Sequence, residues 1–186
     1  MLPGLAARRR FADLTEQEIL ALAISSEEDD ARIYRSYAQQ LRADYPASAA
    51  VFDAMAAEED GHRQALIDRH RMRFGDVIPL IRREHVAGFY ARKPVWLVRN
   101  LGLEKIRAQA AAMEQEAGAF CRLAASHATD AQTRKLLGDL AAAEAGHESM
   151  AATLEAEHLA GEARSDEDRA AHRQFILTWV QPGLAG

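Results

Sequence analysis

The sequence predicts an all-α fold: a four-helix bundle of two helical hairpins joined by one long crossover, followed by a C-terminal helix. Three observations carry that reading. Apolar and small residues recur at helical spacing over four long stretches. The connections inside each pair of stretches are very short, which forces antiparallel neighbours. A Glu-x-x-His unit stands in the second stretch of each pair, Glu59 to His62 and Glu144 to His147, and each is preceded about one helix earlier by another glutamate, Glu27 or Glu114.

The elements follow in order. Thr15 and Glu18 fit a capping box at the start of the first helix, with Leu14 and Ile19 placed as its hydrophobic staple. An apolar or small-residue stripe then runs through Leu20, Ala23, Ile24, Ala31, Tyr34, Ala38 and Leu41, and Glu27 falls inside it. Pro46 fits the first turn of a second helix, which carries Val51, Phe52, Met55, Glu59, His62 and Leu66 at helical spacing and stops near Gly75. Residues 75–93 form the crossover, with a short helix expected through Ile81, Val86 and Phe89. The third helix is expected from about Pro94 to His127. The fourth starts at a brief link at Thr129, where Gln132 completes a second capping-box pattern, and ends at Gly161. A last helix, capped by Ser165, runs through Phe175, Ile176 and Trp179 to Pro182. One helical domain over residues 1–161 and a C-terminal helix and linker over 162–186 are therefore expected.

The 186 residues suit one domain with a real core, and 48% apolar residues with five prolines describe a helical globular chain rather than a disordered one. The net charge of −5, with basic residues interleaved among acidic ones, leaves no phosphate-binding stripe and argues against nucleic acid as a partner. Cys121 is the single cysteine, which excludes an internal disulfide and a Cys-x-x-Cys knuckle and reads as a small apolar helix residue. Arg8, Arg9 and Arg10 before Phe11 and Asp13 lack the apolar core of a secretory signal, and no stretch has the length and apolarity of a membrane span. Phe89, Tyr90, Val95, Trp96 and Leu97 give the crossover more apolar surface than a linker needs. They are expected either to pack against a second copy, making a homodimer, or to cover the end of their own bundle.

Residues three apart on a helix share a face, so the carboxylate and imidazole of each Glu-x-x-His unit can point inward at one ion. The duplicated arrangement is the ligand set of a dinuclear metal centre: Glu27, Glu59, His62, Glu114, Glu144 and His147. Oxygen-rich ligation with one imidazole per ion suits iron or manganese better than structural zinc. Four buried carboxylates could not all stay ionised without cations, and two divalent ions would cancel their charge. Glu27 and Glu28 are adjacent and either could border the buried stripe. Glu27 is preferred because Tyr34 follows two turns along the same face, where its hydroxyl could bond a ligand carboxylate; Cys121 takes the corresponding place after Glu114. His70, His85, His127, His158 and His172 lack matching partners and are read as surface or helix-end residues.

Glu27 with Tyr34, Glu59-Asp60-Gly61-His62, Met113-Glu114-Gln115-Glu116 with Phe120, and Glu144-Ala145-Gly146-His147 together resemble the rubrerythrin branch of the ferritin-like superfamily, over residues from about 15 to 160. The resemblance implies a ferritin-like bundle holding two iron ions, with manganese the alternative. Glu59 and Glu144 would bridge, His62 and His147 would cap one ion each, and Glu27 and Glu114 would be terminal carboxylates. Two departures stand out: the four cysteines of a rubredoxin module are absent, and Ala117 stands where that branch carries a further glutamate three residues after the third-helix ligand. The ligand count is then similar to the six-ligand ferroxidase centre of bacterioferritin.

The segment from Arg173 to Gly186, with Phe175, Trp179, Pro182 and Gly183, resembles the run-in to a further module in membrane-bound ferritins, where an erythrin-like domain is fused to a vacuolar-iron-transporter-like membrane module. An ordinary amphipathic terminal helix is the alternative. The resemblance implies a di-iron ferroxidase and iron-sensing domain serving iron efflux, which would bind Fe(II) and oxidise it with O2 or H2O2. Its expected catalytic set is the six ligands plus Tyr34. The chain itself is expected to be soluble, and the full-length protein to hold it on the cytoplasmic side of the inner membrane. A peroxide reductase fed by an external electron donor, and a non-enzymatic metal sensor or structural metal domain, are the rival readings.

Overall fold

The computed structural model describes residues 8–88 and 101–159, with side chains in the last helix followed as far as Gly146. Four long helices dominate: α1 (Glu16–Leu41), α2 (Pro46–Phe74), α3 (Leu103–His127) and α4 (Ala131–Leu159). The first begins where the capping pattern places it. Thr15 Oγ1 accepts from the Glu18 backbone N–H at 3.2 Å, and a Glu18 carboxylate oxygen accepts from the Thr15 N–H at 2.9 Å. Pro46 supplies the preset φ of the first turn of α2. Gly75 ends that helix in a left-handed conformation, φ 83°, that costs glycine least.

Two apolar layers fix the packing. One joins the start of α1 to the end of α2, the end of α3 and the start of α4, through Leu20, Leu22, Leu66, Phe120, Ala124 and Leu137. The other joins the end of α1 to the starts of α2 and α3, through Tyr34, Tyr37, Phe52, Met55, Ile106 and Met113. Helices α1 and α2 are therefore antiparallel, as their short link requires, and α2 and α3 run the same way. A connection between parallel neighbours must travel the length of the bundle, which is what the segment after Gly75 provides.

That crossover departs from expectation. Instead of a helix through Ile81 and Val86, it holds one 3-10 turn, Arg83–His85, and then a two-residue strand β2 (Val86–Ala87) paired in parallel with β1 (Arg9–Arg10). The apolar positions that suggested helical spacing are used differently: Ile81 and Val86 are both buried in the first layer, Val86 from extended backbone. Arg83 holds the segment down. Its buried guanidinium donates to both carboxylate oxygens of Asp30, at 2.9 and 2.7 Å, and to Ser26 Oγ at 3.0 Å.

Two helix starts are also corrected. Helix α3 begins at Leu103, with Gly102 as its N-cap rather than at about Pro94. Helix α4 is capped by Asp130, whose carboxylate accepts from the Thr133 N–H at 2.8 Å. The Thr129 hydroxyl instead bonds Glu16, and Gln132 Oε1 accepts from Arg69 at 2.7 Å, so both residues of the expected box serve contacts between elements. Phe89, Tyr90, Val95, Trp96 and Leu97, the end of α4 at Gly161 and the C-terminal helix with Ser165, Phe175, Ile176 and Trp179 lie outside the described residues. Among the described residues no helix is long and apolar enough to cross a membrane.

Candidate metal centre

Between the two apolar layers the helices turn acidic side chains toward one another. Glu27 of α1, Glu59 of α2, Glu114 of α3 and Glu144 of α4 are 4%, 2%, 1% and 1% exposed, values that glutamate rarely reaches without a compensating partner. His62, one turn after Glu59, projects among them. Its Nδ1 lies 3.5 Å from Glu59 Oε2, 3.5 Å from Glu144 Oε1 and 3.9 Å from Glu27 Oε2. Glu27, Glu59, His62 and Glu144 each offer a ligand atom, and these four atoms all lie within 4.8 Å of one another, close enough to share an ion.

Glu114, beside Glu144, accepts a hydrogen bond from the Tyr34 hydroxyl, the contact the shared face of Glu27 and Tyr34 anticipates, although to the carboxylate of another helix. Glu28, the alternative to Glu27, turns outward and pairs with Arg32 at 2.6 Å. His147 continues α4 one turn after Glu144, and its side chain lies outside the described residues. Cys121 is fully buried in the first apolar layer, and burial pushes its thiol well above the usual range. Of the other histidines, His85 and His127 are exposed. His70 lies near the end of α2, one of the two places expected for it, and is fully buried rather than at the surface, with Nδ1 3.2 Å from the Gly75 carbonyl and its ring against Phe74. A histidine that closes a helix end inward has the same sequence signature as one that faces water.

Electrostatics argue for a cation. Burial raises the carboxyls of Glu27 and Glu59 well above their usual range, and repulsion among the carboxylates adds to it. Burial likewise raises Glu144 to about 9. Glu59 Oε2 and His62 Nδ1 are buried with no hydrogen-bond partner among the described residues. Such groups cost about 1–3 kcal/mol each when unsatisfied. A divalent cation satisfies both at once and compensates the charge, so the residues present fit a metal. The composition is carboxylate oxygen with imidazole nitrogen and no thiolate.

The rubrerythrin family model matches residues 18–155, a span that contains every one of these side chains. The chain belongs to the rubrerythrin family. Membership accounts for the pairing of two hairpins around an acidic centre, and makes the cluster a candidate di-iron site. Among solved structures, a hypothetical protein from Pyrococcus furiosus shares the rubrerythrin-like fold, with a TM-score of 0.62 and 21% identity over 82% of this chain and 95% of that one. No curated protein matches the chain.

Sequence reasoning missed two groups beside this rubrerythrin centre. Asp30 stands one turn after Glu27 on the same stripe, buried to 3% exposure, and its spacing could have revealed it. Arg83, which neutralises Asp30, comes from the crossover, where no periodicity points at the bundle.

Proposed function

We propose that this rubrerythrin-family domain binds two ferrous ions between its hairpins and oxidises them with O2 or H2O2. The observation that carries the reading is the convergence of Glu27, Glu59, His62 and Glu144 from three helices within 4.8 Å, the three carboxylates buried, with Glu114 buried as well. When bound, an iron pair supplies one-electron changes at each ion, so that together the ions can pass two electrons to peroxide. The protein's own share is positional and electrostatic. Glu59 and Glu144, on α2 and α4, would hold the ions between the hairpins, the role the resemblance implies for them. Glu27 and Glu114 would complete the set as carboxylate ligands, again as the resemblance implies. His62 presents Nδ1 to the cluster, and His147 is its counterpart by sequence. Tyr34 holds Glu114 in a fixed orientation, and the apolar layers above and below keep bulk water from the site.

Purified protein mixed with Fe(II) in air should develop ferric absorbance beyond two equivalents per chain. The His62→Ala, His147→Ala double variant should lose both the tight stoichiometric binding and the oxidation. Retention of two tight irons by that variant sinks the ligand assignment. Peroxide reduction at turnover with an external electron donor, and little net oxidation by O2, would replace ferroxidase activity with peroxide reductase activity. A single saturating change would mark a sensor or structural role. Service to an iron-export module is the narrower form of this proposal and rests on the resemblance of residues 173–186. A homodimer packed through Phe89, Tyr90, Val95, Trp96 and Leu97 belongs to the same proposal, and light scattering tests it.

A further inference from the structure

We infer that Glu58 is a positioning residue for the metal centre: its carboxylate takes the Nε2–H of His62 and thereby keeps the Nδ1 lone pair turned toward Glu27, Glu59 and Glu144. The inference rests on reading the cluster as a metal centre, and concerns how the protein selects the ligating nitrogen.

The two ring nitrogens of His62 face opposite environments. Nδ1 looks inward to three carboxylate oxygens at 3.5–3.9 Å, whereas Nε2 looks outward to Glu58 Oε1 at 3.8 Å. Glu58 precedes His62 by four residues, the spacing that stacks side chains on one helix face. Its carboxylate is 31% exposed where that of Glu59 is 3%, so neighbouring glutamates of α2 serve opposite sides of one imidazole. A neutral imidazole carries one N–H, and a ring that ligates through Nδ1 must carry it on Nε2. An acceptor on the Nε2 side stabilises that tautomer and makes Nδ1 a better donor to metal, the usual division between a ligand and the group behind it. The 3.8 Å separation is longer than a hydrogen bond, so the contact closes by a rotation of the Glu58 carboxylate toward the ring.

Glu58→Leu and Glu58→Gln separate this role from that of a solvated surface charge. Co(II) titration by visible absorbance gives the affinity, and ¹H–¹⁵N spectra of the Zn(II)-loaded protein report the His62 Nε2–H. Glu58→Leu should weaken Co(II) binding by about 10- to 100-fold and expose the Nε2–H to rapid exchange. Glu58→Gln, which keeps an acceptor without the charge, should stay close to the parent in both. Parent-like affinity and a protected Nε2–H in Glu58→Leu overturn the inference, as does an equal loss in Glu58→Gln, which would reduce the effect to net charge. Failure of the parent protein to take up Co(II) overturns the metal-centre reading itself, and this inference with it. Circular dichroism of both variants should match the parent, since Glu58 lies at the rim rather than in either apolar layer.

Discussion

The hydroxyl of Tyr34 donates to Oε1 of Glu114, linking α1 to α3 across 80 residues of sequence within a buried acidic cluster. Tyr34→Phe removes the hydroxyl and keeps the ring against Tyr37 and Phe52, whose centroids lie 6.4 and 6.1 Å away. The cost should be about 1 kcal/mol, the net worth of one buried hydrogen bond. Urea unfolding measures it; an unchanged midpoint would mean Glu114 is satisfied without the hydroxyl.

Stability should fall as pH rises in protein stripped of metal by a chelator. Burial raises Glu27 and Glu59 well above their ordinary range and Glu144 to about 9. Below about pH 4.3 these groups are protonated in both the folded and the unfolded chain; above it the unfolded chain releases protons that the folded one retains, so stability is lost progressively toward pH 9. His62, also raised, shifts stability in the same direction, because the folded state holds its proton longer. Added Mn(II) should reverse the trend, since its ligands bind deprotonated, and at a hundredfold excess over its Kd should add about 2.7 kcal/mol. Melting curves at pH 5.5 and 8, with and without Mn(II), test both arms; a flat response in the stripped protein would contradict the burial argument.

Breaking the Asp30–Arg83 pair from one side should be costly. Both side chains are at most 5% exposed, and Arg83→Met leaves the Asp30 carboxylate buried without its cation, a loss of about 3–5 kcal/mol. The double variant Asp30→Leu, Arg83→Met should recover much of it. Guanidinium unfolding of the three proteins gives the comparison; equal stability of the single variant and the parent would show that the pair is dispensable.

Gly118 matters for closeness rather than for conformation. A Cβ built there would sit 3.3 Å from the Glu144 Cβ and 3.3 Å from Arg122 Nη1. The arginine can swing aside, but the Glu144 Cβ is fixed to the backbone of α4. Gly118→Ala should therefore weaken Co(II) binding by displacing Glu144, even though alanine favours the helix by about 1 kcal/mol. Parent-like affinity would show that α4 absorbs the methyl without moving its carboxylate.

The legible features were those written in local spacing: the Thr15–Glu18 box, Pro46 and Gly75 bounding α2, and the stripe, with Tyr34 two turns on, that favours Glu27 over Glu28. The rubrerythrin-type motifs extended that legibility to the acidic centre. What stayed hidden depends on pairings between distant segments. Asp130 outcompetes Thr129 as a cap because Thr129 is drawn to Glu16, a residue 113 positions away. The crossover reads as holding a short helix until β1 is known to run beside it. No window along the chain contains both partners of such contacts.

Glu27, Glu59 and His62 come from one hairpin, while Glu114 and Glu144 come from the other. A cation held by both sets would rivet two halves that otherwise rely on side-chain packing along their seam. Hydrogen exchange should then slow most at amides facing that seam when the site fills, and least within each hairpin, whose own helices already protect one another.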